Sequence, residues 1–186
     1  IPYDPVAAEK GGHKHFMQKE IFEQPQALSN TLLNRLPLHG EPIPLDLPFT
    51  KKELADLTRI HIVACGTSWH SGLVGKFLIE QLSRVAVEVD YASEYRYREL
   101  VIQPGTLIIG ITQSGETADT LAAMKEAAAR GARTLAICNV MGSTATRQSE
   151  ATILTHAGPE IGVASTKAFT TQLAVLTLLA LKLGEA

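Results

Sequence analysis

The sequence predicts an α/β fold, a three-layer α/β/α arrangement around a five-stranded parallel sheet. Five strand-like runs occur in the chain, at 60–65, 85–91, 106–111, 133–139 and 151–156. Helical patterns separate them, which favours right-handed βαβ units. The runs at 60–65 and 106–111 are almost continuously apolar, as is typical of strands buried on both faces. A flavodoxin-like strand order 2-1-3-4-5 would make the first and third strands neighbours.

Helices are predicted before, between and after the strands, at 17–24, 25–36, 70–83, 93–99, 118–130 and from about 165 onward. Pro25 either kinks the first helical stretch or starts a second piece. Leu28, Leu32, Leu33 and Leu36 would then share one helix face. Gly131 has the character of a residue that ends a helix.

A domain boundary is predicted at HGEPIPLDLP (39–48), which contains three prolines. Residues 1–45 are therefore predicted to be a linker with an N-terminal helical segment, and 46–186 a single α/β domain. The chain starts without methionine, and we expect it to be a segment of a longer protein.

Composition excludes several classes of function. Hydrophobic residues make up 45% and charged residues 19% of the chain, and the net charge is −2. These values indicate a globular core and give no electrostatic reason to expect nucleic acid or a membrane surface as a partner. Cys65 and Cys138 lie in apolar runs, which suggests core residues in a reducing compartment. The apolar stretch at 168–181 suits a buried helix, so we expect a cytoplasmic location.

Hydroxyl-bearing side chains follow the first and third strands. Each turn opens a helix, whose N-terminus carries free N–H groups and a partial positive charge. Two glycines would let the backbone approach a ligand closely. The predicted site binds a phosphate through neutral donors, and its residues are Gly66, Thr67, Ser68, Thr112, Gln113, Ser114, Gly115 and Thr117. The alternative is that these hydroxyls only cap helices.

A third segment, 158–167, joins the fifth strand to the last helix. Ser165 or Thr166 could cap that helix, or the segment could contact a ligand, and both alternatives stay open. Neither GxxxxGK[ST] nor GxGxxG occurs in the chain. His13 and His15 lack further ligands to complete a metal site. We therefore predict no metal and no cofactor.

Three blocks resemble the sugar isomerase (SIS) fold, namely CGTS (65–68), SGETADT (114–120) and EIGVASTKAFTTQ (160–172). Within that fold they are most similar to the isomerase domains of the glutamine–fructose-6-phosphate aminotransferase family. AEKGGHKHFMQKEIFEQP (8–25) resembles the segment that joins the glutaminase and isomerase domains in that family. The resemblance implies that this chain is the first of two SIS lobes in an enzyme that makes glucosamine 6-phosphate from fructose 6-phosphate and glutamine.

The resemblance also implies roles for individual residues. The family's phosphate contacts fall on Thr67, Ser68, Gln113, Ser114 and Thr117, and its sugar contacts on Val163 and Ser165. Thr112 stands where the family usually has serine. The family's general base, its ring-opening histidine, its C-terminal lysine and its cysteine nucleophile have no counterpart here. We therefore expect no catalytic residue in this segment and no synthase activity from it alone.

The implied partners are a sugar phosphate (fructose 6-phosphate or glucosamine 6-phosphate), a second SIS lobe, a glutaminase domain and a second copy in a homodimer. Glu116 is expected to turn away from the phosphate and bind backbone N–H groups. The roles of His70, Glu160 and Lys167 stay open. Two alternative functions also stay open, a sugar-phosphate-sensing regulatory module and a single-lobe aldose–ketose isomerase. No basic helix-turn-helix pattern occurs in residues 1–50, which argues against a transcriptional regulator.

Overall fold

The computed structural model describes residues 9–37 and 40–186. The predictions made from the sequence for residues 1–8, and for His39 at the proline-rich boundary, concern residues outside these ranges. The strands are β1 (Arg59–Ala64), β2 (Ala86–Tyr91), β3 (Thr106–Thr112), β4 (Arg133–Cys138) and β5 (Ala151–Leu154). The helices are α1 (Phe16–Phe22), α2 (Gln24–Leu32), α3 (Lys51–Ala55), α4 (Thr67–Ser83), α5 (Ala92–Tyr95), α6 (Ala118–Ala129), α7 (Thr144–Gln148) and α8 (Lys167–Gly184).

The five strands form one parallel sheet in the order β2-β1-β3-β4-β5, so the predicted fold class and strand order are confirmed. β1 and β3 are neighbours in register, with Ala64 opposite Ile111 at their carboxyl ends. Every residue of β3 is buried. Helices cover both faces of the sheet, and two separate apolar clusters form the core on its two sides. The turns after β1 and β3 therefore lie side by side at the point where the strand order reverses.

The predicted helix over 25–36 is wrong at its end. α2 stops at Leu32, and Asn34 adopts a left-handed φ of 59° that breaks the helical path. Leu33 and Leu36 are consequently 69% and 56% exposed and do not share a buried face with Leu28. Gly131, in contrast, follows the last residues of α6 with a φ of 95°, as its predicted role requires.

Two short helices, α3 and α7, were not predicted. α3 begins at a capping box, in which Thr50 Oγ1 accepts from the N–H of Glu53 and the Glu53 carboxylate accepts from the N–H of Thr50. This signal is present in the sequence as T-x-x-E. α7 has five residues and no apolar periodicity from which it could be recognised.

The N-terminal helices pack onto the domain next to its edge strand. Thr31 Oγ1 hydrogen-bonds the carbonyl of Thr155, and Arg35 Nη1 donates to the carbonyl of Leu154 over 2.7 Å. α2 also packs against α8, whose apolar residues are largely buried. None of the helices in the described ranges combines the length and apolar character needed to cross a membrane.

Candidate functional site

A cavity of about 400 Å³ opens at the carboxyl ends of β1 and β3. Three segments meet there, the turn before α4, the turn before α6 and the loop between β5 and α8. The lining residues are Cys65, Gly66, Thr67, Ser68, Ile111, Thr112, Gln113, Ser114, Thr117, Glu160, Gly162, Val163 and Ser165. The structure thus brings together every sequence-predicted site residue except Gly115. Their roles toward a ligand stay predictions.

The turn after β1 leaves the start of α4 without a side-chain cap. Gly66 has a φ of 58°, a conformation that favours glycine, and the helix begins directly afterwards at Thr67. The Thr67 hydroxyl has no hydrogen-bond partner among the described residues, so it does not act as an N-cap. Ser68 Oγ accepts from Gln172 Nε2 over 3.0 Å, which leaves its own proton available for a ligand.

The turn after β3 directs its hydroxyls inward in the same way. Thr112 Oγ1 and Thr117 Oγ1 are 2.8 Å apart, and Thr112 Oγ1 also accepts from the N–H of Gly115 over 3.3 Å. If Thr112 donates to Thr117, the Thr117 proton is free for a ligand. Thr117 precedes α6, but its side chain does not cap the helix. The capping alternative is therefore not realised at either turn.

Two further donors lie in the same turn. Ser114 Oγ accepts from the N–H of Glu116 over 3.1 Å and retains its proton. The Gln113 side-chain amide has no hydrogen-bond partner in the part of the chain that the structure describes. Both groups line the cavity. The turn thus offers hydroxyl and amide donors without a formal positive charge.

Gly115 has a different environment from Gly66. It is buried, its φ is 72°, and a Cβ atom built on it would lie 2.0 Å from Ser143 Oγ. Its carbonyl accepts from the N–H of Ala145 over 3.0 Å. Gly115 therefore provides close packing of the turn against the start of α7, away from the cavity lining.

The N-terminus of α8 is capped by a carboxylate from the preceding loop and not by a hydroxyl. Glu160 Oε1 accepts from the N–H groups of Thr166 (2.8 Å) and Ala168 (3.2 Å) at the helix N-terminus. Neither of the hydroxyls expected as alternatives caps the helix. Ser165 Oγ is buried and has no hydrogen-bond partner among the described residues, and Val163 is fully exposed at the cavity mouth.

Charged side chains near the cavity are occupied elsewhere. Glu116 turns outward, as expected, and accepts from the N–H of Thr144 over 2.7 Å; its hydrogen bonds with Thr144 lower the pKa of the carboxyl below its ordinary value. Lys167 Nζ forms an ion pair with Glu23 over 2.6 Å. His70 is exposed, does not line the cavity, and has its Nδ1 3.2 Å from the carbonyl of Gly66.

No lysine or arginine of the described ranges lines the cavity. Positive potential there comes from the N-termini of α4 and α6, whose first N–H groups are unsatisfied by side-chain caps. Such an arrangement can bind an anion without a counter-ion. No group of three His, Cys, Asp or Glu in the same ranges could hold a metal ion.

Sequence reasoning missed two residues that support the site. Gln172 is buried in α8 and reaches Ser68, and Glu20 of α1 contacts the loop that contains Gly162. A polar residue within the apolar stretch 168–181 was a usable signal for Gln172, because buried amides need partners. Glu20 lies in a charged helix of ordinary appearance, so nothing in the local pattern indicated it.

Comparison with known proteins gives a consistent result. A family model described as the SIS domain matches residues 53–182. Glutamine–fructose-6-phosphate aminotransferases (isomerizing) from Clostridium acetobutylicum and Methanosarcina acetivorans are 53% and 54% identical over 97% and 98% of this chain. The chain spans 30% of the length of each of these curated relatives.

A solved structure is also similar over almost the whole chain. It is the C-terminal domain of glucosamine-fructose-6-phosphate aminotransferase from Francisella tularensis, with 46% identity and a TM-score of 0.87. The similarity covers 95% of this chain and 50% of that one. Since the family model matches well over half of the residues and the sheet has the predicted order, this chain belongs to the SIS domain family.

Proposed function

We propose that this chain is the first sugar-phosphate-binding lobe of a glutamine–fructose-6-phosphate aminotransferase. Its cavity would bind the phosphate of fructose 6-phosphate, or of the product glucosamine 6-phosphate. The observation that carries the proposal is the meeting of two uncapped helix N-termini with free hydroxyl and amide donors. The names of relatives more than 50% identical to the chain support the choice of substrate.

The proposed phosphate contacts are Thr67, Ser68, Gln113, Ser114 and Thr117, with Thr112 holding Thr117 in place. Each hydrogen bond to a charged group contributes roughly 1.5–3 kcal/mol, and desolvation and ordering offset much of the sum. A dissociation constant between about millimolar and micromolar would result, which suits a metabolite. Val163 and Ser165 would contact the sugar.

The lobe contributes binding and orientation, and the proton transfers occur elsewhere in the protein. Among the described residues, Glu160 supplies the carboxylate that lines the cavity, and its hydrogen bonds to the α8 N-terminus engage it in a structural contact. Positioning of a substrate can be a large term in catalysis even without a proton carrier. The residues that open and isomerise the sugar would therefore belong to another part of the full-length protein.

The proposed partners are a second SIS lobe, a glutaminase domain and a second copy of the protein. Full exposure of Val163 at the cavity mouth supports a covering element from outside this chain. Phe77 on α4 is 68% exposed, and Leu181 on α8 is 38% exposed, which leaves apolar surface for association. A cytoplasmic location and the domain division at residues 45 and 46 stay predictions.

The proposal can be tested by titrating the ¹⁵N-labelled chain with fructose 6-phosphate while following backbone amides by NMR. Amides of 66–68 and 113–117 should shift, and unphosphorylated fructose should leave them unchanged. Equal responses to both sugars would contradict phosphate recognition. The chain alone should form no glucosamine 6-phosphate from fructose 6-phosphate and glutamine. Interconversion of sugar phosphates by the chain alone would favour the single-lobe isomerase alternative.

The regulatory alternative can be separated by the length of the native gene product. An aminotransferase should be several times longer than this chain, because the chain spans only 30% of the named relatives. A short product that binds sugar phosphate would favour a sensing module.

A further inference from the structure

A buried carboxylate on the N-terminal helix α1 holds the loop that closes one side of the cavity. Glu20 is only 2% exposed. Its Oε1 accepts from the N–H of Ile161 over 2.6 Å and from the N–H of Gly162 over 3.1 Å. The Gly162 N–H is also 3.1 Å from Oε2. One carboxylate thus satisfies two consecutive backbone donors of the loop.

Residues 16–24, which include α1 and are called the arm below, also hold the start of α8. The same loop leads directly into this helix. Glu23 Oε2 is 2.6 Å from Lys167 Nζ, and Lys167 is itself buried. Gln24 Oε1 accepts from Thr170 Oγ1 over 2.5 Å. The arm therefore contacts both the loop and the helix that follows it.

The contact with Gly162 is close enough to restrict the loop. A Cβ atom on Gly162 would lie 2.5 Å from Glu20 Oε2 and 3.5 Å from the backbone Cα of Met17. Gly162 itself lines the cavity, as do Glu160, Val163 and Ser165 from the same loop. The arm thus packs directly behind a wall of the cavity.

Separation of the arm and the loop would be unfavourable for both partners. The carboxylate would lose its charge-assisted hydrogen bonds, and two backbone N–H groups would lose their acceptor. Buried polar groups without partners are strongly disfavoured. We therefore expect a change in the position of α1 to change the conformation of the loop as well.

We propose that Glu20 is a positioning residue for the cavity, which holds the 158–166 loop in the conformation that completes the sugar-phosphate site. The identity of the ligand rests on the proposed function, whereas the contact between arm and loop does not. Because coupling between two equilibria is reciprocal, ligand binding tightens the arm, and loss of the Glu20 contact weakens ligand binding.

The test compares the ¹⁵N-labelled wild-type chain with Glu20→Gln, which keeps the side-chain volume and removes the charge. Glu99→Gln is the matched control, because the exposed Glu99 carboxylate makes no hydrogen bond or ion pair with the described residues. Amide hydrogen exchange is measured without ligand, and affinity for fructose 6-phosphate is measured by NMR titration.

In Glu20→Gln, exchange at Ile161 and Gly162 should accelerate roughly tenfold or more, while the central amide of Ile109 keeps its wild-type protection. The dissociation constant for fructose 6-phosphate should rise roughly five- to tenfold, with the shifts of 66–68 and 113–117 unchanged at saturation. Glu99→Gln should behave as wild type in both measurements. A role in global stability alone would change the Ile109 protection and leave the affinity unchanged.

The inference is overturned if Glu20→Gln speeds exchange in the loop yet binds fructose 6-phosphate as tightly as wild type. Failure of the wild-type chain to bind fructose 6-phosphate would contradict the proposed function. Unchanged amide exchange of the loop in Glu20→Gln would overturn the present inference, whether or not the wild-type chain binds. If Glu20→Gln does not fold, Gly162→Ala disturbs the same contact from the loop side. Wild-type affinity in Gly162→Ala would also overturn the inference.

Discussion

Gln172 Nε2 lies 3.0 Å from Ser68 Oγ, so α8 directly supports a hydroxyl at the N-terminus of α4. Gln172 Oε1 is in turn 3.0 Å from Ser71 Oγ, which is also 2.7 Å from the carbonyl of Ser68. All three residues are buried, and Gln172 is only 1% exposed. This network holds the Ser68 hydroxyl through its acceptor side, so that its proton stays available to the cavity.

Gln172→Leu should weaken both the fold and the site. The substitution keeps the approximate volume but leaves Ser68 and Ser71 without their amide partner, which costs about 1–3 kcal/mol of unfolding free energy. Affinity for fructose 6-phosphate should fall, because Ser68 is no longer held. Urea unfolding and NMR titration measure the two effects. Gln81→Leu, on the exposed face of α4, should change stability by less than about 0.5 kcal/mol. Unaltered affinity in Gln172→Leu would contradict the supporting role.

The hydroxyl of Thr112, and not its methyl group, should matter for the turn after β3. Thr112→Val removes the acceptor for the Gly115 N–H and the partner of Thr117 at nearly constant volume. We expect a loss of about 1–3 kcal/mol in unfolding free energy and weaker sugar-phosphate binding. Thr112→Ser keeps the hydroxyl and should retain binding close to wild type. The same titration compares the two variants, and equal binding by both would argue against a role for the hydroxyl.

Gly115→Ala should destabilise the turn by about 2–4 kcal/mol, through strain at positive φ and overlap with Ser143. Adding Ser143→Gly removes the overlapping side chain and should recover part of the loss. The left-handed backbone strain remains in the double variant. A double-mutant cycle of unfolding free energies measures the coupling. Strict additivity would mean that the two residues do not pack as described.

The two hydroxyl-rich turns could be predicted because their positions follow from local patterns. Buried parallel strands are nearly continuous apolar runs, and ligands bind at their carboxyl ends. Once strand order 2-1-3-4-5 is assumed, the turn at Thr67 and the turn at Ser114 must lie together. Chain direction and strand pairing alone therefore located most of the cavity lining.

The supporting contacts could not be predicted in the same way. Gln172 and Ser68 are 104 residues apart, and Glu20 and Gly162 are 142 residues apart. Such pairs depend on how helices pack on the sheet and leave no periodic trace in the sequence. The packing role of Gly115 was also missed, because a glycine needed for close contact and a glycine needed for ligand approach look identical in a sequence.

His61 on β1 is a buried histidine that contacts Tyr95 and lies near charged side chains that are more exposed. The residue is 4% exposed, its Nδ1 is 2.7 Å from Tyr95 Oη, and its Nε2 is 3.8 Å from the Glu88 carboxylate. Burial is the largest effect and lowers the pKa of His61, against the opposing attraction of Glu88. The charges of Arg59 and Arg98 also lower the pKa of His61, and the charge of Asp90 raises it. Burial likewise raises the pKa of Tyr95 to about 12.

Stability should therefore decline as the pH falls below the ordinary histidine pKa of about 6.5. In that range His61 is protonated in the unfolded chain but stays neutral in the folded chain, because folding lowers its pKa. The loss of stability continues until the pH reaches the pKa of His61 in the folded chain. His61→Asn can keep a hydrogen bond to Tyr95 but does not titrate. Urea unfolding at about pH 7.5 and about pH 5.5 should show a smaller loss for this variant than for wild type. His70→Asn, the same change at an exposed site, should keep the wild-type loss, and an equal loss in all three proteins would show that His61 is not responsible.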